Sequence, residues 1–230
     1  MLEHILGESP YQSPTDMGVN MAGFAIFDDD AVSDAARNEI VRRYFKNAEE
    51  VTRTGAGEDQ VKKLMVLMRK ADVDVDLSPA RQAALDKAEE SGDLSGALEL
   101  PDGRVITGRT SKLLSASASV LLNAMKAQAD IPDDMYIISD EAMAPICRLR
   151  TDLLGHVSPQ LHPGEMLIAL STSSLTNPMA GRALEHLREL NNCDTYFSAI
   201  ITSDDEQLYK SLGINVCCEP RYSSQARYQK

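Results

Sequence analysis

The chain has 230 residues, 43% of them hydrophobic and 25% charged, with four cysteines and no tryptophan. That length holds one large domain or two small ones at roughly 150 residues per domain, and the composition is that of a globular protein whose core is aliphatic and Met-rich. A formal net charge of −12 argues against a nucleic-acid partner and against an anionic membrane surface, because both need a basic face to displace counterions.

No apolar run approaches the ~18 residues of a membrane span. The start, Met1 to Gly7, has neither the basic region nor the apolar stretch of a signal peptide. Cys147, Cys193, Cys217 and Cys218 form no Cys-x-x-Cys pair. They read as thiols of a reducing cytoplasm rather than as a disulfide framework or a zinc site.

Gly7 to Gly23 is rich in Gly, Pro, hydroxyls and amides, so it is expected to be irregular. From Ser33 to about Thr52, Ile40, Val41, Tyr44, Phe45 and Ala48 recur at helical spacing. Glu58 to Ala71 gives a second helix, with Val61, Leu64, Met65 and Met68 on one face. Ser78 caps a third, with Pro79 at its first position, running to about Ser91.

Ala97 to Leu100 and Arg104 to Thr107 flank Pro101-Asp102-Gly103 and read as a β-hairpin. Ser111 to Ala129 is expected to be a helix, Met135 to Ser139 a strand, and Asp140 to Leu154 a helix interrupted at Pro145. His162-Pro163-Gly164-Glu165 resembles a helix start, although Met166 to Leu170 alone fits a buried strand equally well. Asn177-Pro178 begins a helix to about Leu190. Thr195 to Thr202 is a strand, Ser203 caps a helix that Gly213 stops, and Ile214 to Cys218 is the last strand.

The fold class is therefore α/β, a mixed-sheet layered α/β domain preceded by a small helical subdomain. The expected divisions are an irregular N-terminal segment over 1–28, the helical subdomain over 29–95 and the sheet domain over 96–230.

Several segments resemble motifs of the bacterial family called domain of unknown function 1846. They are Gly7 to Gly23, Ala97-Leu98-Glu99-Leu100-Pro101-Asp102-Gly103-Arg104, Thr107-Gly108-Arg109-Thr110-Ser111, Leu167 to Ser171, Thr176-Asn177-Pro178, Leu212-Gly213-Ile214 and Cys218-Glu219-Pro220. They follow the family's order along almost the whole chain. The resemblance implies a protein roughly double this length, whose N-terminal half is an α/β domain with a Gly-rich, phosphate-binding loop. On that reading the chain is the C-terminal half, and its partner is the absent N-terminal half of the same family. Some members carry a name suggesting an ATP-dependent zinc protease, but the sequence has no His-Glu-x-x-His.

Two segments offer ligand contacts. In the first, Tyr11, Gln12, Ser13, Thr15, Asp16 and Asn20 supply donors and acceptors, and Gly18 and Gly23 permit close backbone approach. The competing reading is a connector that packs by side chain–backbone hydrogen bonds. In the second, Arg109, Thr110, Ser111 and Lys112 stand between a strand and a helix start, where backbone amides and two cations suit phosphate or carboxylate. The competing reading is an ordinary capped helix.

Ser111, Ser115, Ser119 and Asn123 form an i, i+4 ladder on a helix without charge between Lys112 and Lys126, so another backbone, internal or of a second subunit, must pack closely on it. Asn177 is an N-cap or, with Thr110, Ser111 and Ser173, part of a pocket. His156, His162, Cys217 and Cys218 lack the His-x-Glu and Pro-Cys-x-x-Cys of zinc deaminases and read as capping or core residues. No metal site and no catalytic residue is assigned.

The functional expectation is a nucleotide- or phosphometabolite-binding site completed with the N-terminal half, no cofactor being expected for this chain alone. The alternative is a non-catalytic oligomerisation or docking module, a homo-oligomer in either case. No nucleic acid and no membrane partner is expected, and the setting is cytoplasmic.

Overall fold

The computed structural model describes residues 29–223, which fall into two compact units, one ending at Leu77 and the other beginning at Ser78. In the first unit, α1 (Asp29–Thr54) buries Ile40, Val41, Phe45 and Ala48, four of the apolar positions that the helical spacing marks. Gly55 and Gly57, both at positive φ, break it, and α2 (Glu58–Lys70) folds back against it. A 3₁₀ turn, Val75–Leu77, closes the unit.

The second unit opens with α3 (Pro79–Ser91), whose N-cap Ser78 accepts from the Ala80 N–H as the Ser-Pro signal predicts. This helix packs on the sheet and belongs to the second unit, whereas the sequence grouped it with the two helices before it. The Pro101-Asp102-Gly103 turn closes the expected hairpin. β1 (Ser95–Glu99) runs antiparallel to β2 (Val105–Arg109), with Ala97 opposite Thr107. β1 is also antiparallel to β3 (Asp194–Phe197), and β3 is parallel to β4 (Asn215–Cys218), so the mixed sheet runs β2-β1-β3-β4.

Alternation divides the sheet into two faces. Ala97 and Tyr196 point toward α3, where Arg81 lies over the Tyr196 ring at 5.7 Å. Leu98, Ile106 and Phe197 point the other way, into a core shared with α4 (Ala116–Gln128) and the helices that follow. Gly108 is on that second face. A Cβ there would sit 2.5 Å from the backbone nitrogen of Val120, so β2 and α4 meet backbone to backbone. The small-residue stretch of this helix thus has an internal partner, and the Asn123 amide donates to the Thr107 carbonyl across the contact at 2.9 Å.

Three expected elements differ. α4 begins at Ala116, with Ser115 as its N-cap, because Leu114 bridges to Leu161 and holds the preceding residues extended. Residues 135–139 form no strand. Their backbone groups bond to side chains instead, the Ile137 carbonyl to Asn177 and the Ser139 N–H to Ser173, and so never join a sheet. The third strand ends at Phe197, after which the Ser198 N–H donates to the Ser95 carbonyl and the Ile200 N–H to the Arg221 carbonyl.

The remaining helices follow their caps. α5 (Asp140–Arg148) passes through Pro145 and loosens into a π turn, Leu149–Leu153. α6 (Pro163–Ser173) settles the open question at Met166 to Leu170 as helix. α7 (Pro178–Glu185) continues as a 3₁₀ turn to Leu190, and α8 (Ser203–Ser211), capped by Thr202 rather than Ser203, connects β3 to β4. Among the described residues, no helix is long and apolar enough to cross a membrane, and no disulfide joins the four cysteines.

Candidate functional site

The start of α6 is written in His162-Pro163-Gly164-Glu165. Proline at the first helical position lacks the N–H that would have no acceptor there, and Glu165 reaches back to accept the His162 N–H at 2.8 Å. The cap fixes the His162 backbone. The side chain is fixed from elsewhere: Nδ1 lies 2.9 Å from Asp205 Oδ1 and 3.0 Å from Oδ2. A carboxylate only accepts, so Nδ1 carries the proton and donates.

Asp205 stands in the first turn of α8 and is buried. Its N–H is held by the Thr202 side chain at 3.2 Å, and its Oδ2 also takes the Ser117 hydroxyl. Ser117, buried in α4, is anchored in turn by the Tyr209 hydroxyl, which donates to its carbonyl at 2.7 Å. Tyr209 meets Phe197 edge-on, which ties the carboxylate to the sheet core.

His162 lines a cleft of about 780 Å³ together with Arg150, His156, Gln160, Thr202 and Asp204. With Nδ1 committed to Asp205, Nε2 has no hydrogen-bond partner among the described residues. The hydrogen bond to Asp205 holds the imidazole above the usual histidine range; burial and the Arg150 charge oppose that rise, and the Glu165 charge adds to it. Arg150 is buried and donates from Nη1 to Glu165, while its Nε has no acceptor. Chemically, the arrangement is an oriented imidazole at a cleft wall, able to take or give a proton at Nε2.

The structure distributes the sequence-expected site residues. Tyr11, Gln12, Ser13, Thr15, Asp16 and Asn20 lie outside the described residues. Arg109 ends β2 and pairs with Asp93 at 3.1 Å. Thr110 donates its N–H to the Leu94 carbonyl. The Ser111 hydroxyl accepts from the amides of Leu113 and Leu114, a local turn rather than the helix start that was to supply an anion site. Its carbonyl takes the Gln160 side chain at 2.6 Å, which links this turn to the cleft wall. Asn177 caps α7 through the Met179 N–H.

Asp205 carried no signal in the sequence, because three acidic residues at a helix start read as ordinary dipole complementation. His162 was legible only as a cap. Among the described residues, no cluster of three His, Cys, Asp or Glu side chains could hold a metal ion.

Comparison with known proteins places the chain in a family. The C-terminal profile of the domain of unknown function DUF1846 matches residues 76–228, and its N-terminal profile matches residues 1–72. The UPF0371 protein of Corynebacterium aurimucosum is 45% identical over 231 residues, covering 100% of this chain and 46% of that protein. The UPF0371 protein of Streptococcus pneumoniae is 43% identical, with 100% and 47% covered. The chain spans about half the length of the curated relatives it matches.

One expectation is overturned. The segment from Gly7 to Gly23, α1 and α2 lie within the match to the family's N-terminal profile, on the same covalent chain as the sheet unit. A separate N-terminal half as the partner of a purely C-terminal chain does not stand. With both profiles matched in sequence order and relatives aligned along its full extent, the chain belongs to the family described as domain of unknown function DUF1846.

Proposed function

We propose that the second unit carries a proton-transfer site for a small polar metabolite, with His162 as the acid–base group and Asp205 as the residue that orients it. The observation that carries this reading is the buried Asp205 carboxylate on Nδ1, which fixes the tautomer and leaves Nε2 to the cleft. A structural histidine at a helix cap needs no such buried carboxylate, itself supported by Ser117 and Tyr209. The cleft volume suits a small ligand, typically several hundred cubic ångströms. The cysteines, none of them in a disulfide, fit a reducing, cytoplasmic setting.

The test is turnover of a metabolite mixture, followed by mass spectrometry, with the full chain and with His162→Gln. The expected result is consumption of a substrate by the parent protein and a loss of roughly 10²–10⁴-fold in the variant, the usual contribution of a positioned acid–base group. Turnover that the variant retains, or none by either protein, sinks the reading.

A further inference from the structure

We infer that the cleft beside His162 holds a single oxyanion of its ligand, a phosphate monoester or a carboxylate, between Arg150 and the first turn of α6. The inference deepens the proton-transfer reading of the same cleft and rests on it for what happens to the ligand afterwards.

The first observation is an orphaned donor. The Arg150 side chain is only 9% exposed, its Nη1 is committed to Glu165, and its Nε is buried without an acceptor. Buried arginines nearly always have their donors satisfied, and one at the wall of a ligand-sized cleft whose Nη2 also has no partner points to an acceptor that arrives with the ligand. Arginine suits this because its planar fork matches the two oxygens of a carboxylate or phosphate.

The second observation is the backbone beside it. Gly164 lines the same cleft in the first turn of α6, where its N–H has no intrahelical acceptor. Nothing lies within 4 Å of the position a Cβ would take, so open space adjoins this first turn at the positive end of an eleven-residue helix. Thr202, the N-cap of α8, lines the cleft as well.

The charges set the class of ligand. Glu165 and Arg150 neutralise each other, and Asp205 is engaged by His162 and Ser117, so an anion is held by the donors left open on Arg150 and in the first turn of α6 rather than by net positive charge. Asp204 is exposed and adds a negative charge at the rim. One oxyanion is accommodated beside Arg150, whereas a polyphosphate would bring further charge against Asp204. A nucleoside triphosphate is therefore a poor fit, and a small phosphate monoester or carboxylate a good one.

The experiment is a titration of the full chain with inorganic phosphate and, separately, with acetate at constant ionic strength, read by calorimetry and thermal shift. The expected result is saturable binding of one of the two probes, which identifies the oxyanion. Binding should weaken about tenfold or more in Arg150→Gln and in Gly164→Leu, whose side chain fills the open space. The second variant leaves the Arg150–Glu165 pair intact, so the test stands even where Arg150→Gln fails to fold. No saturable binding, or equal binding in Gly164→Leu, overturns the inference. Turnover that depends on His162 alongside absent phosphate and acetate binding would overturn the oxyanion subsite alone. Probe binding alongside turnover that ignores His162 would remove the proton-transfer reading and keep the subsite.

Discussion

His162 and Asp205 meet across 43 residues of chain, with the imidazole Nδ1 at 2.9 Å from one carboxylate oxygen and 3.0 Å from the other. Two helix starts make the meeting possible. The cap of α6 sets the histidine backbone, the Thr202 cap of α8 sets the aspartate, and Ser117 in α4 supports the carboxylate from behind. The pair is positioned by three elements that touch nowhere in sequence, which makes its consequences separable by mutation.

The pair makes stability depend on pH. The folded-state pKa of His162 is raised, chiefly by the hydrogen bond to Asp205, above the unfolded value of about 6.5. The stabilisation is therefore fully present below pH ~6.5 and is lost as pH rises through the folded-state pKa. Chemical denaturation at a series of pH values should show that decline in the parent protein. Asp205→Asn should remove it, bring the His162 proton titration seen by NMR back toward the ordinary range, and cost about 1–3 kcal/mol for the broken buried network. An unchanged His162 titration in Asp205→Asn would refute the coupling.

The contact at Gly108 should tolerate no side chain. The added methyl of Gly108→Ala would sit 2.5 Å from the Val120 nitrogen and 2.8 Å from the Ser119 carbonyl carbon, both backbone atoms that cannot swing aside. A loss of about 1–3 kcal/mol is expected from overpacking. Gly164→Ala meets nothing within 4 Å and should stay within about 0.5 kcal/mol of the parent. Urea midpoints of the two variants compare them directly.

Ser115, as the N-cap of α4, accepts from the Ala118 N–H at 3.2 Å. Ser115→Ala should therefore cost about 1 kcal/mol, with Ser115→Asp or Ser115→Asn recovering most of it, since all three polar residues cap well. Equal stability of Ser115→Ala and the parent in thermal unfolding would show that the cap contributes nothing.

The thiols should separate by reactivity. Burial pushes Cys193 up to about 11, with the Asp194, Glu99 and Asp102 charges adding to the rise. Near pH 8 its thiolate is scarce and shielded, whereas Cys147 and Cys217 are half-buried. A thiol-disulfide reagent should modify Cys147 and Cys217 first and reach Cys193 and Cys218 only on unfolding. Early labelling of Cys193, located by peptide mapping, would contradict the burial of the residue that precedes β3.

By itself, the sequence determined the parts of this protein that local chemistry governs. Ser78-Pro79, His162-Pro163 with Glu165, and Asn177-Pro178 each mark a helix start, because a cap needs only a side chain and the amides of the next turn. Pro101-Asp102-Gly103 placed the hairpin for the same reason, and the charge-free serine ladder correctly demanded a close backbone. Tertiary structure decided the rest. Ser111 and Ser115 are equally good caps in isolation; the bridge between Leu114 and Leu161 chose the second. Met135 to Ser139 has a strand's composition, yet Ser173 and Asn177 take its backbone groups and leave it without a neighbour. The dyad itself was invisible: a capping histidine and one of three acidic residues acquire their roles only when three helices bring them to a single cleft.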